Sequence, residues 1–129
     1  MNRKLFLSGI LFGMIAIILG AFAAHGLKPK ISPEAMATFE TGVRYQMYSA
    51  FFLLVLGLMP MVPEKAKNIC FYLTIVGVFL FSGSIYLLAI NDLTAFDFKR
   101  IALATPLGGT LMIAAWIVLF LRFLKLKIK

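Results

Sequence analysis

Residues 5–24 read LFLSGILFGMIAIILGAFAA, twenty consecutive positions without a charge. At about 1.5 Å per residue, a helix of that length reaches about 30 Å, the thickness of the hydrocarbon layer of a bilayer. Three further runs of the same kind follow, Tyr45–Val62, Ile69–Ile90 and Ile101–Leu121. A membrane barrel strand needs only about 10 residues and alternates in polarity; none of these runs does. Inside lipid the backbone has no water to bond, so each run must satisfy its own amides as a helix. The expected fold class is all-α: an integral membrane four-helix bundle forming one domain over residues 1–129, with spans near 5–24, 45–62, 69–90 and 101–121.

The rest of the chain agrees. Hydrophobic residues make up 62% of it and charged residues only 14%, with a mean hydropathy of +0.98. A soluble domain carries about 25% charged residues, so this chain lacks the polar side chains to cover a water-facing surface. The net charge of +8 does not point to nucleic acid. The basic residues sit at the ends of apolar runs, where they orient a membrane protein. Cys70 is the single cysteine, so no intrachain disulfide forms. Without a neighbouring His or Cys it reads as a small packing residue.

The first run has features of a secretion signal: a basic start, an apolar middle, and Ala21-Phe22-Ala23 resembling a cleavage site. It is longer than the usual signal core of about 7–15 residues. It also carries Gly9, Gly13, Ala16 and Gly20 on one helical face. Small residues at that spacing suit close helix packing in lipid, so the reading favours a retained span. Ala50 and Gly57, Gly77 and Ser84, and Ala104 and Gly108 repeat the device in the other spans. With small faces turned inward, Phe6, Phe12, Phe51, Phe79 and Phe120 are expected on the exterior.

Ser32-Pro33-Glu34 is a helix start, with Ser as cap, Pro in the first turn and an acid near the positive end of the dipole. Met36, Phe39, Val43 and Met47 follow at helical spacing. A short amphipathic helix is therefore expected from Pro33 into the second span, with a bend at Gly42. Pro60 and Pro63 stop that span, and Pro106 sits in the first turns of the fourth, where a missing donor costs little.

Four spans place both termini and the middle loop on one side. That side carries eight of the basic residues, against five on the other. The positive-inside rule then puts the N- and C-termini in the cytoplasm of a cell-membrane protein. Under this topology most unusual polar residues fall in the outer half of the bundle: His25 where the first span leaves, Glu40, Arg44 and Gln46 where the second enters, Ser82, Ser84 and Tyr86 along the third, and Thr105 at the start of the fourth. These are the candidate ligand-binding residues. Each has a plainer alternative. A lone His at a helix end often bonds the last carbonyls, Arg44 stands one turn from Glu40 as an ion pair would, tyrosines anchor the interface, and serines tie helices together.

No catalytic constellation is present: no Ser-His-Asp order with a nucleophile elbow, no paired intramembrane carboxylates and no phosphate-cradling glycine loop. No second His exists to help His25 hold a metal. No cofactor and no enzyme activity are expected.

Gly20-Ala21-Phe22-Ala23-Ala24-His25-Gly26-Leu27, Phe39-Glu40-Thr41-Gly42-Val43-Arg44-Tyr45-Gln46-Met47-Tyr48, Phe81-Ser82-Gly83-Ser84-Ile85-Tyr86-Leu87 and Thr105-Pro106-Leu107-Gly108-Gly109-Thr110 together resemble the YgdD/YwdK-like family of small bacterial membrane proteins. This is a domain of unknown function, number 423, whose animal relatives are called transmembrane protein 256. The resemblance covers nearly the whole chain and implies four spans and an unassigned biochemical role. Ser49 departs from the family, which often has His there, and that departure weakens any mechanism built on a histidine pair. The first functional expectation is a bundle that binds a lipid, a small solute or a partner protein at its outer polar cluster. The alternatives are a small transporter or channel, oligomeric in form, and an intramembrane enzyme using His25 with an acid. A transporter needs polar residues through the full depth, and the inner halves of the spans lack them.

Overall fold

The structure, a computed structural model, describes residues 2–126. Helix α1 spans Arg3–Phe22 and winds into a wider π-turn over Ala23–Leu27. Helix α2 spans Pro33–Gly57, α3 spans Glu64–Ala89 and α4 spans Ala104–Lys125. Two short 3₁₀ turns, Asn91–Leu93 and Phe98–Ile101, link α3 to α4. Consecutive helices pack together: α1 on α2, α2 on α3, α3 on α4. Among the described residues there is no strand.

The helix starts are chemically specified. The Asn2 side chain accepts from Leu5 N at 3.4 Å and caps α1. Ser32 Oγ accepts from Ala35 N at 3.0 Å, with Pro33 in the first turn of α2 as the sequence predicts. The loop before α4 is tied by Asn91 Oδ1, which accepts from Phe98 N at 2.7 Å, and by Asp97 Oδ1, which accepts from Lys99 N at 3.1 Å.

Among the described residues, three segments are long and apolar enough to cross a membrane: Arg3–Leu27, Glu64–Ala89 and Phe98–Lys125. Helix α2 is built differently. Its first half, Pro33–Arg44, carries the polar residues, and its apolar half runs only from Tyr45 to Gly57. The apolar run in the sequence extends to Val62, but the helix stops at Gly57, ahead of Pro60 and Pro63. The amphipathic segment from Pro33 runs into the apolar half as expected, as one helix that continues through Gly42. Glycine at 42 serves a close approach: a Cβ there would lie 2.7 Å from Tyr86 Cε1.

Small residues fix the helix seams. Along α1, Gly9 faces Leu54 and Ala50, Gly13 faces Ala50 and Met47, and Gly20 faces Val43. Beyond them the Phe6 ring packs on Gly57. Rising residue numbers in α1 thus meet falling numbers in α2, and the antiparallel contact covers most of α1. Between α3 and α4 the backbones themselves touch. A Cβ on Gly108 would lie 2.6 Å from Gly77 O and would collide with Phe81 N. In lipid, where apolar surface gains nothing by leaving one hydrocarbon for another, such close approach is what holds helices together. Cys70 is fully buried, and its Sγ lies 3.5 Å from Ala115 O, as a packing residue would.

The aromatic exterior is partly as expected. Phe51, Phe79 and Phe120 are exposed and Phe6 is half-buried, but Phe12 is 8% exposed and belongs to the core. Phe12 turns inward because it shares the face of α1 that carries Gly9 and Ala16, and its ring meets Phe79 edge-on at 6.3 Å.

Candidate functional site

The polar residues singled out in the sequence separate into three groups. The first is a buried knot. Gln46 is 5% exposed on α2. Its Nε2 donates to Phe12 O at 2.9 Å, and its Oε1 accepts from the Tyr86 hydroxyl at 2.7 Å. Ser82, one turn before Tyr86, donates its hydroxyl to Gly42 O at 2.8 Å. The Phe39 ring lies 4.9 Å from the Tyr86 ring and covers the knot. One amide and two hydroxyls thereby join α1, α2 and α3. Every partner in the knot is protein, and among the described residues no fully enclosed side-chain N or O is left unpaired.

The second group lies on the other side of α3. Successive residues of a helix are about 100° apart, so Ser84 faces away from both Ser82 and Tyr86. Its hydroxyl donates to Phe81 O at 2.9 Å and meets the Thr105 hydroxyl across the α3–α4 seam. This is interhelical glue of the kind expected for membrane serines.

The third group stays outside. His25, Glu40 and Arg44 are exposed. His25 sits in the π-turn at the end of α1. The Arg44 guanidinium reaches Thr41 Oγ1 at 3.5 Å, and this hydrogen bond goes to Thr41 and not to Glu40. Among the described residues, no three His, Cys, Asp or Glu side chains are grouped to hold a metal ion. The eight candidates therefore do not converge on one pocket. Gln46, Ser82 and Tyr86 are brought together, Ser84 and Thr105 are paired elsewhere, and His25, Glu40 and Arg44 face the surroundings.

Sequence reasoning missed a groove. A cavity of about 540 Å³ opens between α2 and α4, lined by Tyr45, Tyr48, Ser49 and Phe52 on one side and by Met112 and Trp116 on the other. The Phe52 and Trp116 rings meet at 4.6 Å across it. Ser49 is 6% exposed, lines this cavity, and makes no hydrogen bond to a described residue. Tyr45 and Tyr48 stack edge-on at 5.4 Å near one end. Arg44 stands one turn before Tyr48, on the same side of α2 and closer to the polar half of the helix. The positions of Tyr48, Ser49 and Phe52 at helical spacing were visible in the sequence. That α4 stands off from them was not.

Four packed helices, three of them long and apolar enough to span a membrane, and polar residues used mainly to bind helix to helix, define a small multi-helix integral membrane protein. The family described as "Protein of unknown function (DUF423)" matches residues 19–109, and the chain belongs to that family. It is 37% identical over 123 residues to a UPF0382 membrane protein of Staphylococcus haemolyticus, covering 95% of this chain and 97% of the relative. It is 34% identical to the UPF0382 membrane protein YwdK of Bacillus subtilis, with 91% and 93% covered. It is 33% identical to the UPF0382 inner membrane protein YgdD of Escherichia coli, with 99% and 95% covered. No solved structure matches.

Proposed function

We propose that this protein is a non-enzymatic lipid-binding bundle of the cell membrane, which seats one anionic phospholipid with an acyl chain in the α2–α4 groove and its headgroup at Arg44. The groove carries the reading. Its volume of about 540 Å³ lies in the range of small-molecule sites, roughly 300–1,000 Å³, and its walls are almost entirely hydrocarbon and aromatic. Ser49 is its one unpartnered polar point at depth. Arg44 marks the end where α2 turns polar, and an exposed guanidinium beside two tyrosines is the chemistry that holds a phosphate at an interface. The polar groups of the knot and of the α3–α4 seam support binding over transport, because Gln46, Ser82, Ser84 and Tyr86 are each committed to a protein partner.

The orientation has both termini in the cytoplasm. The charge count supports it, eight basic residues against five, and the way α2 lies antiparallel against α1 from Phe6 to Gly20 supports α2 as a further crossing, which keeps the two ends on one side. A helix that accompanies a spanning helix over that length crosses at the same depth, whatever the polarity of its first half.

Trp116 is the single tryptophan and it lines the groove, so its fluorescence reads what occupies the site. In nanodiscs, a phospholipid with brominated chains is supplied at equal mole fraction as either the anionic or the zwitterionic component. The brominated anionic lipid is expected to quench Trp116 at least twofold more strongly than the brominated zwitterionic one, and Arg44→Gln to abolish the difference. Equal quenching by both lipids in the unaltered protein overturns the proposal.

A further inference from the structure

The opposite end of the bundle holds a second, chemically different cavity, and it stands independently of the groove. Here α1 begins beside the turn between α2 and α3. Asn2 Nδ2 donates to Glu64 Oε2 at 3.1 Å. One turn into α3, Lys67 is only 5% exposed, yet its ammonium group makes no hydrogen bond to a described residue. Since no fully enclosed polar atom lacks a partner, the ammonium is not sealed in. It opens on a cavity of about 450 Å³ walled by Phe6, Gly57, Leu58, Pro60, Glu64 and Lys67.

Lys67 buries its stem and presents its ammonium to this cavity, where an anionic group can meet it. Glu64 is in the same wall, three residues earlier on α3, but it bonds Asn2 and not Lys67. The cavity therefore presents a cation and a carboxylate side by side, with apolar Phe6 and Leu58 next to them. A simple anion would satisfy Lys67 and be repelled by Glu64. A ligand with both charges, a few bonds apart, satisfies both.

We infer that this cavity is a binding site for a phosphoethanolamine group, with its phosphate on Lys67 and its primary ammonium on Glu64. The same chemistry occurs in the headgroup of an aminophospholipid in the adjoining leaflet and in a free phosphoethanolamine of the cytoplasm. A choline group keeps the charge but has no N–H to donate to the carboxylate, and a glycerol group has no charge to offer it. Ethanolamine is therefore preferred over both.

The test is native mass spectrometry of the full-length protein released from mixed micelles of dioleoyl phosphatidylethanolamine, phosphatidylcholine and phosphatidylglycerol in equal amounts. The unaltered protein is expected to retain the ethanolamine lipid at least fivefold over each of the others. Lys67→Met should reduce that retention to the level of the other two lipids. Glu64→Gln should keep a bound phospholipid but lose the preference for ethanolamine over glycerol. Arg44→Gln, at the far end, should leave the preference intact. Millimolar free O-phosphoethanolamine distinguishes the two sources: displacement of the lipid indicates a site that also takes the soluble compound, and undiminished lipid retention indicates the membrane headgroup. No ethanolamine preference in the unaltered protein overturns the inference, as does a preference that survives Lys67→Met. If Lys67→Met does not fold, Glu64→Gln decides alone, because an unchanged preference there is equally fatal.

Discussion

Helix α4 meets its two neighbours in opposite ways. Against α3 the contact is backbone on backbone, with Gly108 lying on Gly77 and Phe81 so closely that no side-chain carbon fits between them. Against α2 the contact is ring on ring, Phe52 on Trp116, with a cavity of about 540 Å³ beside it. Both faces of α4 are apolar, so hydrophobicity does not distinguish them. Residue size does. Where glycines face each other the helices close, and where aromatics face each other without a small counterpart they stand apart and leave room for a lipid chain. In a hydrocarbon solvent, complementarity of shape takes over the part that burial plays in water.

The sharpest way to break this comparison is Gly108→Ala. One methyl group would be driven into Phe81 N and Gly77 O, which are parts of a helix backbone and cannot rotate away. Overpacking of this kind costs about 1–3 kcal/mol, and the seam must open to relieve it. Unfolding of the purified protein in detergent, followed by helical circular dichroism, should show a loss at the upper end of that range. The Ser84–Thr105 hydroxyl contact should be lost with it. An unchanged midpoint would mean that α4 slides along α3 freely, and the contrast between its two faces would lose its meaning.

A smaller effect is expected at the buried knot, which holds α1, α2 and α3 together without glycine-on-glycine contact. Gln46→Leu keeps the volume and removes both hydrogen bonds, leaving the Tyr86 hydroxyl without its acceptor, while Phe12 O keeps its own place in the α1 ladder. The cost of unpaired buried groups is about 1–3 kcal/mol, lowered in membranes because the separated helices also find partners. A loss of about 1 kcal/mol is expected. Tyr86→Phe removes the other half of the same bond. If the knot acts as a unit, the double variant should lose less than the two single variants added together. Strict additivity in the detergent unfolding assay would show that Gln46 and Tyr86 act separately.

The sequence revealed the elements better than their arrangement. The uncharged run at residues 5–24 and the Ser32-Pro33-Glu34 cap led directly to α1 and to the start of α2, because each depends on neighbours a few residues away. The small stripe of α1 was legible for the same reason. Pro60 and Pro63 marked where α2 stops, and the helix ends three residues ahead of Pro60 because apolarity alone does not distinguish helix from the turn that leads into two prolines. Phe12 was placed outside because aromatic residues suit both lipid and core, and only the partner across the seam decides. The outer polar cluster is more instructive, because the structure divides it into three groups. Ser82 and Ser84 were grouped by depth, yet two residues on a helix stand about 200° apart, so shared depth did not mean shared direction. Lys67 was counted as an orienting charge, and its enclosure depends on Phe6 and the α2–α3 turn, which local spacing does not report.

The smallest effect should come from Gly83, one turn beyond Leu80 on α3. It is the same residue type as Gly108 and lies at the same level of the bundle, but a Cβ built on it meets nothing within 4 Å. Gly83→Ala therefore adds no clash. In water such a change gains up to about 1 kcal/mol, because alanine restricts the unfolded chain and suits a helix. In a membrane the separated helices keep their internal hydrogen bonds, since the backbone has no alternative partner there. Most of the propensity gain is then already present before the bundle forms, and the net change should be about 0.5 kcal/mol or less, towards stability. A loss approaching that of Gly108→Ala, measured in the same assay, would mean that glycine in this helix is required for flexibility and not for approach. The closeness of the α3–α4 seam would then no longer explain why α4 binds one neighbour tightly and leaves the other at a distance.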